Sequence, residues 1–320
     1  MSITSSKTET VKAGQPNSTD SAPGARPGRR LPSRDSRYAS WWWALPAVAL
    51  VIAIHYAAIA AGSIYAFTDY KGVGSFKFIG LDNFTKIFSG GASMKALINT
   101  LIIAFVFLIA TNGIGLAFAL ALNRTLRSRH FLRVILFAPV VLSPLAVSYI
   151  WKFIYQQKGP LNEFLASIGL ESWQHTWLGD PSVVLFSILL VMIWQNVGLT
   201  MVIYLAGLAN VPEDLEEAAA IDGASVWKRF TKITLPLLRP TIVVASTLIL
   251  IQGLRVFDQV QALTGGGPFG ASETLATQVY KETFVNGRYG YGAALSLVMT
   301  VLILFFALLQ MGLLRGKKDD

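Results

Sequence analysis

The sequence predicts an all-α membrane protein with six transmembrane helices. Two observations carry that fold class. Of the 320 residues 53% are hydrophobic and 14% charged, with a mean hydropathy of +0.52, too apolar for a soluble domain of this length. Apolar runs long enough to span a bilayer recur along the chain, separated by short polar stretches. A polar stretch in the second half of the chain, residues 209–239, lies between two such runs and so belongs at a membrane surface.

Residues 1–40 are rich in Ser, Thr, Pro, Gly and Arg and are expected to form a disordered, basic cytoplasmic tail. Attraction of its arginines to anionic lipid is sufficient reason for its charge. The first span is expected from about Trp41 to Phe67, opening on Trp41-Trp42-Trp43 as an interfacial anchor. Its apolar run is too long for a signal peptide, which points to a retained anchor. The second span covers about Ala96 to Leu122, interrupted by Asn112, Gly113 and Gly115. The glycines suit close helix packing, whereas Asn112 needs a partner inside lipid. A basic loop, Asn123 to His130, precedes the third span, about Phe131 to Ile154, which contains Pro139 and Pro144. The fourth runs from about Val183 to Leu208, the fifth from about Thr241 to Leu263 and the sixth from about Tyr291 to Leu314. These spans form one domain over residues 41–315, followed by a short cytoplasmic tail, residues 316–320.

Six spans put both termini on one side. With the tail, the Arg124 loop, residues 209–239 and the C-terminus inside, that side holds 18 of the 27 basic residues, which favours cytoplasmic termini in a multi-pass cell-membrane protein. The net charge of +9 is thus explained by topology and lipid, without nucleic acid.

Within residues 209–239, Pro212 can start a helix whose first turns carry Glu213, Asp214, Glu216 and Glu217, matching the helix dipole. Leu215, Ala218 and Ala219 share a face that leaves little side chain between this helix and a docked partner. The helix should end at Asp222-Gly223, with Gly223 left-handed, and Ser225 should cap the next one. Lys228, Arg229 and Lys232 follow, so an acidic helix precedes a basic one.

The chain has no cysteine, its three histidines lie far apart, and it lacks a Gly-x-x-x-x-Gly-Lys-Ser/Thr loop. Thiol chemistry and a phosphate-binding loop are therefore excluded, and no catalytic constellation or metal-ligand spacing is visible. Polar residues inside spans are then the candidates. They are Trp194, Gln195 and Asn196 in the fourth span, and Gln252, Arg255 and Asp258, with Gln259 and Gln261, in the fifth. Gln252, Arg255, Val256 and Gln259 would share one face of a continuous helix, and Arg255 and Asp258 could pair across one turn. Any one of them could simply hold helices together. Amides, an aromatic ring and an ion pair at one depth fit a wet cavity for a hydroxyl-rich ligand.

The run Glu217-Ala218-Ala219, Gly223, Ile233, Leu235-Pro236 resembles the EAA loop of permease subunits in ABC importers, without a gap in its spacing. Phe257-Asp258 with Thr264-Gly265-Gly266-Gly267-Pro268, the Gly80 to Phe84 loop, Asn99-Thr100-Leu101, and Tyr280 with Phe284 resemble one permease subunit type of carbohydrate importers. That resemblance implies the type I importer permease fold, with Glu216, Glu217, Ala218, Ala219, Asp222 and Gly223 in a coupling helix seated on an ATPase subunit. It implies a second paralogous permease, ATP-binding subunits that hold ATP and Mg, and an extracytoplasmic solute-binding protein. It implies a sugar substrate moved by alternating access, with no cofactor or ATPase site in this chain. A glycerol phosphate is the alternative cargo. A secondary transporter would call for an inverted repeat, which is not visible, and a membrane scaffold would need no polar cavity.

Overall fold

The computed structural model describes residues 41–123 and 127–314. The predicted tails, residues 1–40 and 316–320, and the Arg124 end of the basic loop lie outside the described residues. Among those described the structure is helical, with one isolated antiparallel bridge between Thr68 and Phe78. Among the described residues four helices are long and apolar enough to cross a membrane, and up to six spans result if two bent pairs, residues 129–154 and 226–254, each count as one.

The first helix, α1 (Leu45–Tyr65), follows a 3-10 turn at Trp41–Trp43 and is 21 residues long. Its portion up to Ile54 falls in a first compact unit and the chain from His55 onward forms the second. The second unit is built on α2 (Ala92–Leu122) and α5 (Val184–Leu208), which pack along each other. Of the long helices α5 is the most buried, at 56% of its apolar window, and so it forms the centre. Gly115 faces the Thr200 side chain so closely that an added Cβ would sit 2.8 Å from it, and Gly198 meets the Leu136 carbonyl closer still. The expected close packing is therefore real at Gly115, but Gly113 faces open space. Asn112 finds its partner: its Oδ1 accepts from the Tyr204 hydroxyl at 2.8 Å and its Nδ2 donates to the Leu108 carbonyl.

Two expected spans are not straight. The third is α3 (Arg129–Val141) and α4 (Pro144–Ile154), bent by 100°. Pro139 stays inside α3, whereas Pro144 breaks the helix, because the residue before a proline is pushed to extended backbone. Ser143 takes ψ 145° there, and its hydroxyl accepts from the Ala146 N–H to cap α4. The fifth, expected as one helix to Leu263, is α8 (Arg239–Leu254) followed by a break at Arg255, Val256 and Phe257 and a short α9 (Asp258–Leu263). The Val256 carbonyl, released from the helix ladder, accepts from the Thr274 hydroxyl at 3.1 Å. Hence no continuous face carries Gln252, Arg255, Val256 and Gln259. The last helix, α10 (Tyr289–Leu314), packs on α8 and on the Ala57–Tyr65 part of α1, within the second unit.

Between α9 and α10 the glycine-rich segment is tied to α2. Asn99 donates to the Ala271 and Glu273 carbonyls at 3.0 and 2.9 Å, and Thr100 accepts from the Leu275 N–H. Asn83 similarly donates to the Ala66 and Thr68 carbonyls.

Candidate functional site

The two helix breaks meet. Leu142, at the α3–α4 bend, has a carbonyl without a helical partner, and Gln195 on α5 donates to it at 3.0 Å. The Gln195 Oε1 in turn accepts from Gln259 Nε2 on α9 at 3.1 Å. Both amides are buried, and they tie α3, α5 and α9 together around a void of about 710 Å3. That volume suits a small ligand rather than a water or two.

Gln195, Asn196, Gln252, Arg255, Asp258 and Gln259 all line the void. Five of the six predicted substrate residues are thus brought together. Trp194 is not: it points to the other side of α5, edge-on to Trp151 at 5.5 Å. Asn196 donates back to the Met192 carbonyl at 2.9 Å, leaving its Oδ1 toward other partners. Phe107, Met192 and Phe257 supply the apolar wall. Phe257, legible in the sequence only as part of the carbohydrate-importer signature, lines the void from the helix break.

The expected Arg255–Asp258 ion pair does not form. The helix ends between them, so the one-turn spacing no longer brings them face to face, and both are exposed with no ion pair or hydrogen bond from their side chains among the described residues. Gln252 is likewise exposed and uncommitted. The cavity therefore presents three free polar groups beside an internally satisfied amide pair.

At the other end of α5 lies the helical loop. Its first helix, α6 (Glu213–Ile221), starts after Pro212, and Gly223 takes φ +78° at its end as the sequence predicts. Ser225 caps the next helix, α7 (Val226–Leu237), accepting from the Lys228 N–H at 3.3 Å. Glu216 turns inward: its carboxylate accepts from the Thr234 hydroxyl at 2.7 Å and its carbonyl from Arg229. Glu217, Ala218, Asp222 and Gly223 are exposed, Ala219 is half-buried, and Ile221 stands 88% exposed. Glu216 thus braces the two helices while its neighbours form the outer face. A cleft of about 610 Å3 separates α6 from the end of α5.

A family model described as the binding-protein-dependent transport system inner membrane component matches residues 112–318. The multiple sugar-binding transport system permease protein MsmF of Streptococcus mutans is 32% identical over 87% of this chain and 96% of its own length. The trehalose/maltose transport system permease protein MalF of Thermococcus litoralis is 36% identical over 76% of this chain and 81% of its own. Among solved structures, a bacterial ABC transporter that imports the acidic polysaccharide alginate shares the fold, with TM-score 0.75 over 87% of this chain and 96% of that one at 24% identity. The chain therefore belongs to the family of binding-protein-dependent transport system inner membrane components, the membrane-embedded, non-enzymatic permease subunits of ABC transporters.

Proposed function

We propose that this permease forms half of the translocation pathway of an ATP-driven sugar importer, with the void between the two helix breaks as its share of the solute site. The observation that carries this is the set of uncommitted polar side chains, Gln252, Arg255 and Asp258, around about 710 Å3 beside aromatic and thioether surface. Such a lining offers donors and acceptors to hydroxyls and an apolar face to a sugar ring. Asp258 offsets Arg255 in the same void, which favours a neutral hydroxylated solute over a glycerol phosphate. The sugar-permease relatives support the same substrate class.

The partners follow from the architecture of such importers. A paralogous permease closes the other half of the pathway, an extracytoplasmic solute-binding protein delivers the sugar, and ATP-binding subunits hold ATP and Mg. Ala218, Ala219 and the end of α6 at Asp222-Gly223 would seat on the ATPase, and both termini would be cytoplasmic. The test is uptake per assembled complex in Gln252→Ala. A change in which sugar is carried, or how fast, at unchanged complex yield supports the site. Unchanged uptake per complex removes Gln252 from it.

A further inference from the structure

We propose that α7, Val226–Leu237, is an interfacial helix that seats the loop on anionic lipid headgroups. Three independent features of the helix point there. The first is its attitude: α7 bends by 71° from α8, the apolar helix of the fifth expected span, and joins it directly through the buried Leu238. At 1.5 Å per residue its twelve residues span about 18 Å, of which only about 6 Å lies along the α8 axis, so the whole helix stays within a headgroup layer.

The second feature is its exposed apolar surface. Trp227 is 72% exposed, Val226 65% and Leu237 46%, and the indole stacks at a tilt on Phe230 at 5.8 Å. An exposed tryptophan on a helix lying at the bilayer edge is where an amphipathic ring gains most. The third is charge. Residues 226–240 contain Lys228, Arg229, Lys232 and Arg239 and no acid. Arg229 is spent on Glu216, while Lys228, Lys232 and Arg239 are exposed and unpaired among the described residues. Lysines beside a lipid-immersed tryptophan can reach the phosphates with their stems along apolar surface. The preceding α6 carries Glu213, Asp214 and Glu217 at its exposed surface, which an anionic bilayer would repel. The two helices therefore address different surroundings, α6 the aqueous partner and α7 the lipid.

The absence of cysteine makes a direct measurement straightforward. A nitroxide label on Val226→Cys, in the complete importer built with thiol-free partner subunits, is placed in vesicles of phosphatidylcholine with or without phosphatidylglycerol. Collision with oxygen and with a water-soluble nickel complex then reports the surroundings. High oxygen and low nickel collision is the expected result. Phosphatidylglycerol should deepen the label, and Lys228→Gln/Lys232→Gln should remove that deepening while Lys228→Arg/Lys232→Arg retains it. High nickel collision would mean that α7 faces water, and low collision with both would mean that protein covers it, as a docked ATPase would. Either outcome overturns the proposal, as does a depth that ignores phosphatidylglycerol.

Discussion

At the residue scale, the amides divide into two kinds. Gln195 and Gln259 are spent on each other and on the Leu142 carbonyl, whereas the Gln252 amide makes no hydrogen bond among the described residues. Gln195→Leu should destabilise the complex by about 1–3 kcal/mol, because it leaves the Gln259 amide and the Leu142 carbonyl buried without partners. Thermal unfolding of the purified complex measures it, and a shift no larger than that of Gln252→Ala would refute the distinction. Asp258→Ala has the opposite expectation. With no ion pair to break and an exposed side chain, its effect on stability should stay within about 0.5 kcal/mol, while uptake per complex falls. Loss of assembled complex in that variant would mean that Asp258 holds the fold.

At the scale of elements, the α6–α7 loop is a bend between two capped helices. Nothing lies within 4 Å of a Cβ built on Gly223, so a substitution there meets no neighbour. Its φ of +78° is the obstacle, and it costs a β-branched residue roughly 1–2 kcal/mol or more. Gly223→Val should relax the bend, move α6 relative to α7 and abolish uptake while leaving the affinity of the solute-binding protein intact. Normal uptake in that variant would reduce the loop to a linker. The bend between α3 and α4 follows the same logic with a different residue: Ser143 and Pro144 write it locally.

For the molecule as a whole, the helices bury one another unevenly. The central α5 is more than half buried at 56% of its apolar window, against 22% for α10, whose Leu304, Phe305 and Leu308 face outward. That gradient fits the proposed half-pathway, in which some helices form the core and others would meet lipid or a second permease. The six expected spans also make a topological prediction. Reporter fusions after Asp180 and after Asp222 should fall on opposite sides of the membrane, and agreement between them would overturn the topology. The chain purified alone should hydrolyse no ATP, with hydrolysis appearing only when ATP-binding subunits are added.

What the sequence determined by itself is what depends on near neighbours along the chain. Span lengths follow from apolar runs, and α2, α5 and α10 are found within a few residues of their expected bounds. The loop helices follow from Pro212, Gly223 and Ser225, because caps and left-handed turns are written within four residues. Tertiary structure alone decided the break at Arg255, Val256 and Phe257, since the Thr274 hydroxyl that takes the freed carbonyl arrives from 18 residues away. That break dissolved the predicted helix face and the Arg255–Asp258 pair, yet it also opened the void those residues line. The role of Gln195 was likewise invisible locally, because its two partners come from the α3–α4 bend and from α9. Periodicity can say which residues share a helix face only while the helix continues, and here a distant hydrogen bond satisfies the backbone where it stops.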